Sequence, residues 1–151
     1  MHVRDIMTTA VVTATADTSF QELVELMLHH GVSGLPVVDG DGRPVGILTE
    51  ADLLAKEAYR SHRDRPADPL LGQTENTWAT KSRGVRAADL MTAPVRTVRP
   101  DDPVRLTAAR MIATGVNRFP VVDGDGRVVG IVSRDDVLRI LHDHNEEMQR
   151  S

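Results

Sequence analysis

The chain is written twice. Val3 to Leu54 align with Ala87 to Leu138 at a constant offset of 84, without a gap, and 22 of the 52 aligned positions are identical. The densest agreement is Pro36-Val-Val-Asp-Gly-Asp-Gly-Arg43 against Pro120-Val-Val-Asp-Gly-Asp-Gly-Arg127. A duplication of this kind constrains the fold more than any other feature, because each copy must be one supersecondary unit and both copies must accept the same backbone. Two copies, rather than a long array, predict a pseudo-two-fold pair in which each unit buries the face its partner leaves exposed. A length of 151 residues suits one domain, or two small units packed together.

Each copy reads as mixed α/β. It opens with Asp5-Ile-Met-Thr8 or Asp89-Leu-Met-Thr92, followed by a short β-prone stretch at Val11–Thr13 or Val95–Val98. A helix follows. In the first copy Thr18 stands three before Gln21, a capping-box spacing, and Phe20, Leu23, Val24, Met27 and Leu28 recur with helical period until Gly31. The second copy reaches the same end with Asp102 as N-cap, Pro103 at the first helical position and Val104, Ala108, Met111 and Ile112 before Gly115. Leu35–Val38 and Val45–Leu48, like Phe119–Val122 and Val128–Val132, flank Asp-Gly-Asp-Gly turns and predict strand, tight turn, strand. A second helix is expected from Thr49 or Ser133.

These limits place the first repeat at residues 1–58, a connector at 59–86, the second repeat at 87–142 and a polar tail, expected to fray, at 143–151. The connector exceeds ordinary loop lengths. Its first turns are expected to extend the preceding helix; Pro66, Pro69, Gly72 and Gly84 then predict a surface crossing, with Trp78 as the one large apolar side chain available to pin it.

Composition narrows the function. The formal charge of −4 argues against a nucleic-acid binder, since phosphate-backbone affinity needs an excess of Lys and Arg. Ala55 to Arg86 holds seven basic and four acidic residues, a net of +3 that leaves −7 for the remainder. A solvated linker is the ordinary meaning of such a segment. The sequence has no cysteine, which excludes disulfides, thiolate metal sites and a cysteine nucleophile. No apolar run approaches the roughly 18 residues of a membrane span. A soluble, cytoplasmic protein without membrane attachment is expected.

The repeated pattern Asp-apolar-Met-Thr, Gly-Val-x-x-apolar-Pro-Val-Val-Asp and Gly-apolar-apolar-Thr/Ser-x-x-Asp resembles the CBS domain, which occurs in pairs called Bateman modules. The likeness covers both repeats and leaves out the connector and the tail. It implies a β-α-β-β-α unit, pseudo-two-fold pairing, frequent homodimerisation, and binding of AMP, ADP, ATP or S-adenosylmethionine in clefts between repeats. In that family binding commonly regulates an enzyme, channel or transporter, as in energy sensing. With no further domain in this sequence, the regulated partner is expected to be a separate chain.

The resemblance also points to site residues. Asp52 and Asp136 would accept hydrogen bonds from the ribose hydroxyls, with Thr49 and Ser133 on ribose or phosphate at a helix N-terminus. The same Thr49-x-x-Asp52 and Ser133-x-x-Asp136 spacings also fit capping boxes, and both readings stay open. Asn117-Arg118 could grip a phosphate through the guanidinium; the first repeat has Ser33-Gly34 there. The better nucleotide site is therefore expected to combine Ser133, Asp136, Asn117, Arg118 and Ile131 with Val12, Val32 and Ser33. A weaker one would combine Thr49 and Asp52 with Arg96, Val116 and Asn117.

Other motifs carry little. Asp39, Asp41 and Glu50 fit part of a calcium-loop template, but Arg43 and Pro44 break it. Gly40-x-Gly42 and Gly124-x-Gly126 sit in hairpins rather than at strand-to-helix junctions. His29-His30 and His142-x-His144 read as surface histidines. No catalytic residue, catalytic cofactor or metal site is expected. The leading reading is a regulatory module for an adenine nucleotide; the alternative is a ligand-free module acting through dimerisation or docking.

Overall fold

The computed structural model describes residues 1–63 and 85–150, with side chains as far as Glu57 and again from Val85. Trp78, Pro66, Pro69, Gly72, Gly84 and most of the connector lie outside the described residues. The chain forms two compact units, and neither is one continuous stretch. One combines Val12–Gly40 with Val45–Pro94; the other combines Met1–Val11, Asp41–Pro44 and Val95–Ser151.

The first of these contains β1 (Ala14–Thr15), α1 (Phe20–His30), β2 (Gly34–Val38), β3 (Pro44–Thr49), α2 (Glu50–Arg63) and the short α3 (Ala87–Leu90). Its sheet runs in the order β1-β2-β3, with β1 parallel to β2 through Ala14↔Val37 and Thr15↔Val38. The first strand thus forms after the β-branched Val11–Thr13 stretch rather than on it. Pairing register and burial decide this: Ala14 is buried and faces the core, while Thr13 is exposed. Ser19 caps α1 by accepting from the Glu22 N–H at 3.2 Å, one residue later than the spacing predicts. Thr18 instead accepts from the Thr15 N–H at 3.0 Å and closes the preceding turn.

The second unit contains a 3-10 turn (Val3–Asp5), α4 (Val104–Thr114), β4 (Arg118–Val122), β5 (Val128–Ser133) and α5 (Arg134–Arg150). β4 and β5 are antiparallel, with Arg118 opposite Ser133. The counterpart of β1 is reduced to one parallel bridge, Val98↔Val121. Pro100, which has no N–H to pair, follows two residues on. Pro103 occupies the N-cap of α4; Asp102, expected there, reaches back to accept from the Arg99 N–H at 2.8 Å. α5 runs to Arg150 and takes in the polar stretch after His142, with His142 beside Glu146 one turn on.

Both helices before the hairpins end as predicted, on Gly31 (φ 63°) and Gly115 (φ 71°). The first core holds Leu23, Leu35, Val37 and Leu48 with Phe20 and Met27; the second holds Val3, Phe119, Val121 and Val132 with Val98 and Met111. Leu28 and Ile112, which belong to the apolar period of their helices, lie at equivalent positions and are both exposed. Thr107 takes the place of Leu23 in the second copy, fully buried, with its hydroxyl donating to the Pro103 carbonyl at 3.4 Å.

Each repeat sends its opening segment to the other repeat's core, and the turn Asp41–Pro44 also belongs to the second unit, where the Val128 N–H donates to Gly42 O at 3.0 Å. Val3 N–H donates to Asp102 O and Arg4 N–H to Pro100 O, both at 2.9 Å; in the same way Ala87 donates to Thr18 O at 2.8 Å and Ala88 to Ala16 O at 3.1 Å. Thr8 then pairs with Ile131, and Thr92 with Ile47. The Asp of the Asp-apolar-Met-Thr motif fixes this geometry. Asp5 accepts from the His2 N–H and Asp89 from the Arg86 N–H, each at 2.8 Å, and so each closes its own turn.

Candidate functional site

The hydroxyl and carboxylate pairs stand where a strand passes directly into a helix. Thr49 ends β3 and Ser133 ends β5, so both side chains sit at a helix N-terminus, where backbone N–H groups lack intrahelical partners. The capping geometry is formed in both copies. Asp52 Oδ2 accepts from the Thr49 N–H at 2.9 Å and hydroxyl at 3.1 Å, and the Asp52 N–H returns to Thr49 Oγ1 at 3.4 Å. In the second copy Asp136 Oδ2 accepts from the Ser133 N–H at 2.8 Å and hydroxyl at 3.1 Å, and the Asp136 N–H returns to Ser133 Oγ at 3.3 Å.

One carboxylate oxygen of each Asp is thus spent on the cap, and the copies differ in the other. Arg139 Nη2 donates to Asp136 Oδ1 at 2.8 Å; the Asp136 side chain is 9% exposed and that of Arg139 73%. The position equivalent to Arg139 is Ala55, so among the described residues Asp52 Oδ1 has no such partner. Arg139 was not singled out in the sequence. Its signal was available, since a residue three along a helix lies on the same face.

The loop entering each hairpin is tied to the same helix start. Asn117 O accepts from the Arg134 N–H at 2.7 Å, and Ser33 O from the Glu50 N–H at 2.8 Å. Asn117 and Arg118 are therefore held close to Ser133, with Arg118 directly opposite it in the β4–β5 register. Ile131 is flanked by Thr8 through two hydrogen bonds of 2.9 Å. The second unit thus gathers Ser133, Asp136, Asn117, Arg118 and Ile131. Thr8 joins them there, a neighbour the sequence reading missed because it belongs to the other repeat.

The remaining expected residues are distributed as follows. Thr49, Asp52, Val12, Val32 and Ser33 belong to the first unit, Arg96 and Val116 to the second. Val12 and Val32 pack at the edge of the first core and Val116 at the edge of the second, each partly buried. Arg96 and Ser33 are exposed. Among the described residues no helix is long and apolar enough to cross a membrane.

A family model described as the CBS domain matches residues 3–59 and 87–143. The chloroplastic CBS domain-containing protein CBSX1 of Arabidopsis thaliana is 32% identical over 131 residues, which are 81% of this chain and 55% of that protein. The chain therefore spans about half the length of this relative. Among solved structures, CBSX2 in complex with AMP superposes with a TM-score of 0.73 at 29% identity, covering 95% of this chain and 98% of that one; CBSX2 is also from Arabidopsis thaliana. The CBS domain pair of protein MJ0100, in complex with 5′-methylthioadenosine and S-adenosyl-L-methionine, gives a TM-score of 0.73 at 28% identity with the same coverage, 95% and 98%.

Proposed function

Since the chain belongs to the CBS-domain family and carries the domain as a tandem pair, we propose that it is a regulatory module that binds an adenosine-containing ligand, AMP, ADP, ATP or S-adenosylmethionine, and modulates a partner protein. The observation that carries this reading is the duplicated helix start, where a hydroxyl and a carboxylate are fixed side by side in both copies. A fixed carboxylate suits a vicinal diol, and a helix N-terminus suits a phosphate. The relatives' complexes with AMP, methylthioadenosine and S-adenosylmethionine support the ligand class. Ser133, Asp136, Asn117, Arg118 and Ile131 would form one site. Thr49 and Asp52 would anchor the other.

A cytoplasmic homodimer belongs to the same reading. Leu54 on α2 and Leu138 on α5 are equivalent in the repeats and both exposed, as expected of helices that meet another copy. Regulation further requires that the ligand bind two conformations unequally.

One observation favours a second reading, a ligand-free interaction module: both oxygens of Asp136 are engaged within α5 and its N-terminus. Calorimetry against AMP, ADP, ATP, NAD and S-adenosylmethionine decides between them, on the native chain and on Asp52→Asn and Asp136→Asn, since asparagine keeps the capping oxygen. Micromolar binding weakened by either substitution supports the adenosine reading. No heat with any ligand, and no shift in a thermal melt, turns the carboxylates into helix caps alone.

A further inference from the structure

We infer that Arg139 makes the second repeat's site selective for anionic adenosine ligands over uncharged nucleosides. The inference rests on the adenosine-ligand reading and concerns the one carboxylate oxygen that the cap leaves over. In the second repeat Arg139 holds that oxygen at 2.8 Å. A ribose diol must displace the guanidinium to use it, because Oδ2 already accepts from Ser133 twice.

An uncharged nucleoside offers the displaced cation nothing in return. A phosphate does, since a guanidinium gains charge-assisted and often bidentate hydrogen bonds from it. Arg139 has the freedom to make that exchange: its side chain is 73% exposed and lies on the first turns of α5, away from the core. Arg118, opposite Ser133, adds a second positive charge on the same side of the hairpin. The first repeat has neither cation, carrying Ala55 and Gly34 at the equivalent positions. Its carboxylate, Asp52, is committed only through Oδ2 among the described residues. The duplication has therefore produced two sites of different ligand class from one motif.

The test isolates each site and reads the preference for AMP over adenosine by calorimetry, with thermal melts to confirm folding. In Asp52→Asn, which leaves the second site, adding Arg139→Ala is expected to tighten adenosine about threefold, the scale of an exposed ion pair, while AMP is unchanged or weaker. In Asp136→Asn, which leaves the first site, adding Ala55→Arg is expected to move the preference the other way. An unchanged preference in Asp52→Asn/Arg139→Ala, or weaker adenosine binding there, overturns the inference and leaves the adenosine reading standing. So does a second site that stays silent with or without Arg139. Absence of binding of either compound to the native chain and every variant overturns both.

Discussion

Met7 lies over Gly130 so closely that a Cβ on the glycine would come within 2.7 Å of the methionine sulfur and 3.1 Å of the Thr8 carbonyl oxygen. Met91 lies over Gly46 in the same way. Each contact joins one repeat's opening segment to the other repeat's second hairpin strand, so the glycine is there to admit a foreign backbone rather than to bend its own. Gly130→Ala is expected to cost about 1–3 kcal/mol, the range of overpacked cores, and to lower the melting temperature. Gly46→Ala is expected to cost a similar amount, because a Cβ there would meet the Met91 sulfur, its Cγ at 2.8 Å and its Cβ at 3.0 Å. Pairing Gly130→Ala with Met7→Ala in a double-mutant cycle should give clearly non-additive losses. Additive losses would mean that the two residues do not share this contact.

The capping boxes make a separate prediction. Asp136→Ala removes the acceptor for the Ser133 N–H and leaves Arg139 without its anion, and is expected to cost about 1–2 kcal/mol. Asp52→Ala removes a cap without an arginine and should cost somewhat less. Asn at either position retains an acceptor and should recover much of the loss. Chemical denaturation of the four variants measures this, and an Asp136→Asn as unstable as Asp136→Ala would contradict the geometry.

Much of this arrangement was legible in the sequence, and what was missed has a common cause. The repeat, the hairpins around Asp-Gly-Asp-Gly and the helix stops at Gly31 and Gly115 are local features, carried by periodicity and turn chemistry that neighbouring residues specify. The Thr49/Asp52 and Ser133/Asp136 pairs were visible for the same reason. Helix starts were misplaced at Thr18 and Asp102 because several nearby residues can accept a backbone N–H, and only the finished turn decides which does. Thr8 and Met7 could not be assigned from spacing, since their partners Ile131 and Gly130 are far along the chain and in the other copy. Leu28 and Ile112 show the limit of periodicity, which marks an apolar stripe without fixing how much of its width the core covers.

Gly31 and Gly115 offer a cleaner backbone test. Both are left-handed, at φ 63° and 71°, and a Cβ at either would meet nothing within 4 Å. Substitution by Ala therefore changes the backbone preference without a clash, at a cost of about 1–2 kcal/mol. The two losses should be nearly equal despite the different helices they end. A marked inequality between the two melting temperatures would show that one helix end is held by something other than its glycine.

The exchanged opening segments predict that a repeat cut out along the sequence will not fold as a unit. A fragment of residues 87–151 lacks Val3, which is fully buried in the second core, and lacks the Val3 and Arg4 hydrogen bonds to the turn before α4. It also leaves the β5 edge at Ile131 without Thr8, and an unpaired edge invites association. Such a fragment is expected to show helical circular dichroism without a cooperative melt, and poorly dispersed amide resonances. Joining residues 1–11 through a flexible linker ahead of Val95 restores the missing core residue and the edge pairing, and should restore a cooperative transition. A cooperative melt for 87–151 alone would show that the second core closes without its borrowed segment, and would make the exchange a consequence of packing rather than a requirement for it.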